Sequence, residues 1–259
     1  MTSILVARDA PPLLLHTLRL ADTALVLGHR LSEWTGQAPM LEEELALANV
    51  ALDLIGQARS LYAYAAELEG KGRTEDDLAY LRDAPEYRNL LIAEQPNGDF
   101  ARTVLRQLLV SAFMLPYWHA LTASRDETLA AVAAKAEKEV AYHLRHAGEW
   151  VIRLGDGTDE SRSRMEDALD ELWPFTGEMF ETDESDRALI AGGFAPDPAA
   201  LRPEWDATVA RVFAEATLPV PQAGTWMQSG GRRGVHGEHL GHMLATMQHL
   251  PRAYPGAAW

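Results

Sequence analysis

Apolar residues recur along this chain at spacings of three and four, a rhythm that predicts helices almost throughout. Pro11-Pro12 opens the first helix. Leu15, Leu18, Asp22, Leu25, His29 and Glu33 lie on one of its faces until the break from Gly36 to Pro39. A second helix runs from about Leu41 to Leu68, with Leu45, Asn49, Leu52, Asp53, Gly56 and Ser60 on its expected inner face and Gly70 and Gly72 as its stop. The third spans about Phe100 to Ala123, with a stripe of Val104, Gln107, Leu108, Ser111, Leu115 and Trp118 and an expected bend at Pro116. The fourth begins near Asp126, with Ser124 as capping candidate, and reaches Leu154; its stripe includes Leu129, Ala136, Val140, His143, Ala147 and Trp150. Each of the four is on the order of 30 Å long.

Between the second and third helices, the stretch from Arg73 to Asp99 reads as a connection with one short helix at most, punctuated by Pro85, Pro96 and Asn97-Gly98. Four-helix bundles with one long crossover include the ferritin-like folds. A fifth helix is expected from Ser161 to Phe180, unwinding near Pro174 and Gly177, and shorter ones around Glu204 to Ala216 and Glu238 to Leu250. No strand alternation, internal repeat or low-complexity tract stands out. The expected architecture is all-α: a ferritin-like four-helix bundle with a long crossover connection and extra C-terminal helices. It forms one domain over 1–259, with the core bundle over about 11–155 and additional helices and partner-docking loops over about 156–259.

Composition narrows the function. A chain of 259 residues with 47% hydrophobic content buries a core without staples. It has no cysteine, which excludes disulfides, thiolate metal sites and cysteine nucleophiles and fits a cytoplasmic location. The net charge is −15, from 38 acidic and 23 basic residues, so neither nucleic acid nor an anionic membrane is an expected partner. The apolar run PPLLLHTLRLADTALVLG is interrupted by Arg19 and Asp22 and is too short and too charged to span a bilayer.

Polar groups sit on the core stripes of all four long helices: Asp22, His29 and Glu33; Asn49, Asp53 and Gln57; Gln107 and Ser111; Glu139 and His143. Burying them is costly unless they satisfy one another. One reading is a metal cluster. The bundle signature for that is Glu-x-x-His on two helices, and none of the nine histidines has an acidic residue three positions before it. Glu139/His143 and Glu238/His242 place a carboxylate four residues before a histidine. The other reading is an ion-paired, hydrogen-bonded core. Asp22, Asn49, Asp53, Glu139 and His143 are then vestiges of a metal position, with charge pairs among Asp53, Glu139 and His143. An oxidase with an atypical di-iron or di-manganese ligand set that includes Glu139 and His143 is the competing assignment.

His236, Glu238, His239 and His242 form a second cluster, whose spacing does not place three ligands on one narrow face. Arg232 and Arg233, flanked by glycines, are candidates for contact with a phosphate. No dinucleotide fingerprint, Walker motif or G-x-S-x-G elbow is present, so no catalytic residue is assigned.

LALANVALDLIGQAR, EQPNGDFA, KEVAYHLRHAGEWVIRLGDGTDES and GGRRGVHGEHLGHMLATMQ resemble the phenylacetic acid degradation proteins, subunits of phenylacetyl-CoA epoxygenases. The resemblance runs from about Leu18 to Trp259 and points to the non-catalytic member. It implies a ferritin-like fold and membership of a multicomponent monooxygenase that converts phenylacetyl-CoA to its ring 1,2-epoxide. It also implies a related catalytic subunit holding the di-iron centre, a separate reductase drawing on NADPH, and small accessory subunits. No cofactor is expected on this chain. The coenzyme A phosphates are then the ligand Arg232 and Arg233 would meet.

Overall fold

In the computed structural model, residues 10–222 and 224–257 are described. In chain order the helices are α1 (Pro12–Ser32), α2 (Leu41–Glu69), α3 (Glu75–Tyr80), α4 (Leu91–Glu94), α5 (Phe100–Leu121), α6 (Glu127–Gly155), α7 (Asp159–Leu172), α8 (Glu184–Gly192), α9 (Arg202–Glu215), α10 (Glu238–Met247) and α11 (His249–Ala253). Among the described residues there is no strand, and no helix is long and apolar enough to cross a membrane.

Two hairpins make the ferritin-like core. α1 packs along α2 and α5 along α6, while α7 and α9 close over α5 and α6. The ends follow local chemistry. Asp99 caps α5 by accepting from the N–H of Arg102 at 3.0 Å. Asp126, rather than the expected Ser124, caps α6 by accepting from the N–H of Leu129 at 2.8 Å. Ser124 instead donates to the carbonyl of Phe194 at 2.8 Å. α5 continues through the buried Pro116. α8 was not anticipated; its signal is the Asp183 cap accepting from the N–H of Asp186 at 3.0 Å.

The crossover departs most from expectation. It carries α3 and α4, and residues 86–95 are buried without interruption. Two buried carboxylates hold it. Glu94 accepts from Asn89 Nδ2 at 2.9 Å, His236 Nδ1 at 2.8 Å and the N–H of Gly237 at 2.7 Å. Glu178 accepts from the N–H groups of Leu91 and Gly230, both at 2.8 Å. The GGRRG loop therefore lies against the crossover of its own chain. A Cβ on Gly231 would stand 2.2 Å from the carbonyl oxygen of Asn89, and one on Gly234, at φ +82°, 2.3 Å from that of Pro85. Both glycines are required by this close backbone approach.

Candidate functional site

α2 and α6 meet along a seam built from polar side chains. Glu43 Oε2 is 2.8 Å from His146 Nε2, Asp53 Oδ2 is 3.0 Å from His143 Nε2, and Gln57 Nε2 donates to Glu139 Oε2 at 2.9 Å. Lys135 Nζ lies 3.3 Å from Glu139 Oε1. Tyr64 donates its hydroxyl proton to Asp126 at the far end. Numbers rise on α2 as they fall on α6, as an antiparallel pair requires. A carboxylate only accepts, so the proton of neutral His143 sits on Nε2. His143 is buried, and that burial lowers its pKa against the opposing pull of Asp53.

Behind the seam is the bundle centre, a cavity of about 20 Å³ lined by all four core helices. Its polar lining is Thr23, Gln57, Gln107, Ser111, Trp118 and His143. A two-metal cluster in such a bundle needs around six ligands, two of them histidines. The centre offers one imidazole. Asp53 is half-buried at its rim, and Glu139 is engaged by Gln57 and Lys135. Among the described residues no three His, Asp or Glu side chains converge as a ligand set. This donor set does not fit a di-iron or di-manganese cluster.

The predicted site residues separate into different environments. Asp53 and His143 are brought together, with Glu139 on neighbouring partners. Asp22 is elsewhere. It is fully buried and accepts from Tyr62 Oη at 2.5 Å, Arg82 Nη1 at 3.1 Å and the N–H of Arg88 at 2.7 Å. Arg82 also stacks on Tyr87, 4.4 Å from the ring centroid. Asn49 and Glu33 are exposed, which corrects their placement on core stripes. The error on α2 has a physical origin: the helix has two apolar faces. Leu47, Val50, Leu54, Leu61 and Tyr62 face the core. Leu41, Leu45 and Leu52 form a stripe on the outside, 67%, 56% and 67% exposed.

Arg232 is also differently placed than expected. Its guanidinium is mostly buried, donating to Asp186 Oδ2 at 2.7 Å and to the carbonyl of Glu181. Arg233 keeps an exposed guanidinium. His236 turns inward to Glu94, whereas His242 is exposed, so the C-terminal histidines do not converge. Sequence reasoning missed Glu43, His146, Tyr64, Arg82, Glu94 and Glu178. Glu43 and His146 lie at helical spacing from Gln57 and Glu139 and were legible as an extension of the seam. Arg82 and Glu94, in a stretch that reads as a loop, gave no signal.

The family model described as "Phenylacetic acid catabolic protein" matches residues 4–259. A protein of Escherichia coli (strain K12), named as one of the subunits of 1,2-phenylacetyl-CoA epoxidase, is 52% identical over 244 residues, covering 94% of this chain and 98% of that one. With a family match across nearly its whole length, the chain belongs to the phenylacetic acid catabolic protein family.

Proposed function

We propose that this chain is a structural, non-catalytic subunit of a cytoplasmic multicomponent monooxygenase that epoxidises the ring of phenylacetyl-CoA. It packs against a related subunit that holds the di-iron centre and receives electrons from NADPH through a separate reductase. One observation carries the reading: α2 is apolar on two faces, and its own chain covers only one of them. An exposed apolar stripe on a helix whose other apolar face is already buried marks a contact surface. The outer stripe of Leu41, Leu45 and Leu52, with the exposed Met40 and Tyr142 beside it, supplies the anchors of an obligate interface. The seam beneath it holds α2 and α6 in register, so the face is presented as a rigid surface. The partner's iron-bearing helices are positioned against it, and small displacements there cost rate steeply. Contact with coenzyme A phosphates falls to Arg233, whose exposed guanidinium is 3.5 Å from Glu181 Oε2, because Arg232 is enclosed by Asp186 and the carbonyl of Glu181.

Co-expression with the di-iron chain tests this. The double substitution Leu45→Asp, Leu52→Asp is expected to weaken the complex at least ~100-fold, from the loss of two buried leucines. The chain's own melting temperature should stay within about 2 °C, since both side chains are already in solvent. Iron should co-purify with the partner. A complex that survives the double substitution, or about two irons bound to this chain alone as expected of a di-metal bundle, overturns the proposal.

A further inference from the structure

A second cavity, of about 50 Å³, opens between α1, α5, the crossover and α8. His16 and Arg19 line it from α1, Tyr117 from α5, Arg88 from the crossover, Asp186 from α8 and Arg232 from the C-terminal loop. Half-buried Ala195 and Pro196 belong to its outer wall.

The direct ion pairs around it leave one guanidinium aside. Arg19 is bonded to Asp186 Oδ1 at 2.9 Å and to Asp183, and Arg232 to Asp186 Oδ2 at 2.7 Å. Two carboxylates thus serve two guanidiniums. Arg88 is the third cation, and it is 8% exposed. Its guanidinium donates to the carbonyls of Pro85 and Tyr87, each at 2.7 Å; among the described residues no carboxylate forms an ion pair with it, and Asp22 and the buried Glu86 attract it only from a distance. The nearby Asp22 is already matched by Arg82. Arg19, 7% exposed, also keeps its Nε buried with no acceptor. His16 adds no charge at neutral pH, because burial lowers its pKa to about 4. A buried guanidinium with no carboxylate in direct contact and a buried N–H without an acceptor both favour an anion.

Size narrows the choice. One buried water occupies about 10–15 Å³ in this measure, so the space suits about three or four non-hydrogen atoms. That admits formate, acetate or bicarbonate. An arene does not fit, and phosphate brings both more atoms and a second charge.

We propose that this cavity binds a small monovalent oxyanion, a one- or two-carbon carboxylate or bicarbonate, with Arg88 as its counter-ion and the Nε–H of Arg19 as a further donor.

Two measurements on the full chain decide it. Crystals soaked in bromide should show an anomalous peak in the cavity within reach of Arg88; water alone at that position, under conditions where bromide labels other sites, overturns the proposal. In thermal denaturation at equal ionic strength, formate should raise the melting temperature over gluconate, which is too large to enter. A difference of about 3–5 °C is expected at ten times the Kd. Arg88→Met should abolish that difference, and Arg88→Lys, which restores a cation, should recover part of it. Equal responses to formate and gluconate in the unmodified chain refute the site. If Arg88→Met does not fold, the bromide experiment on the unmodified chain gives the answer.

Discussion

The Asp22–Arg82 cluster and the α2–α6 seam use the same kinds of side chain, yet they are held in different ways. Asp22 and Arg82 are both fully buried, and every oxygen of Asp22 has a donor from protein. It ties α1 and α2 to the crossover. In the seam, Asp53 keeps 36% of its side chain in solvent beside a His143 that is almost fully enclosed. Water shares the work there. The difference teaches where a polar group is structural cement and where it is a register mark. Removing one partner of a buried ion pair strands the other, whereas a half-exposed group can be rescued by solvent.

The sharpest way to break this comparison is Asp22→Asn. It leaves Arg82 buried beside a neutral amide, and a loss of about 3–5 kcal/mol in urea unfolding is expected. A loss below about 1 kcal/mol, the range of an exposed pair, would erase the distinction.

Acid titration probes the same contrast through histidines. His16 has a folded pKa lowered to about 4, against an ordinary 6.5 for imidazole. The unfolded chain therefore takes up a proton first as pH falls, and the stability that neutral His16 contributes drops between pH 6.5 and about 4, then levels off. The contribution is about 3 kcal/mol at 1.36 kcal/mol per unit. His16→Asn should flatten the curve in this window by roughly that amount, measured in buffers free of small carboxylates. An unchanged slope would show that His16 is protonated in the fold. His143 shifts in the same direction, through burial, but Asp53 opposes it.

The smallest effect belongs to the seam itself. Asp53→Asn keeps an acceptor for His143 Nε2 and should cost about 0.5–1.5 kcal/mol. If it costs as much as Asp22→Asn, the seam is as closed as the deep cluster and solvent plays no part in it.

Much of the bundle was legible from local pattern. The starts and stops of α2, α5 and α6 fall within a few residues of the expected ones, because proline, glycine and capping carboxylates act over single turns. The stripe on α6 was read on its true face, since that helix has one apolar side; α5 is buried nearly all round, so its stripe was one of several buried faces. On α2 the same method selected Leu45, Asn49 and Leu52, which is a real stripe on the outer side. Periodicity reports that a face is apolar, not what covers it. The crossover was misread for a related reason. Residues 86–95 are buried because Glu94 and Glu178 gather donors from the loop around Gly230 to Gly237, more than a hundred residues away for Glu94. No local spacing encodes such a contact.

The sequence alone determined that this chain is helical, that four long helices form its core, and that polar groups interrupt their stripes without the Glu-x-x-His signature. These are properties of single helices, set by neighbours three and four residues apart. Only the tertiary structure decided that Asp22 belongs to Arg82, that Asp53 meets His143, which side of α2 is outermost, and that Arg88 forms no direct ion pair among the described residues. Those outcomes depend on which distant segments arrive at the same place, where burial fixes the cost of each charge.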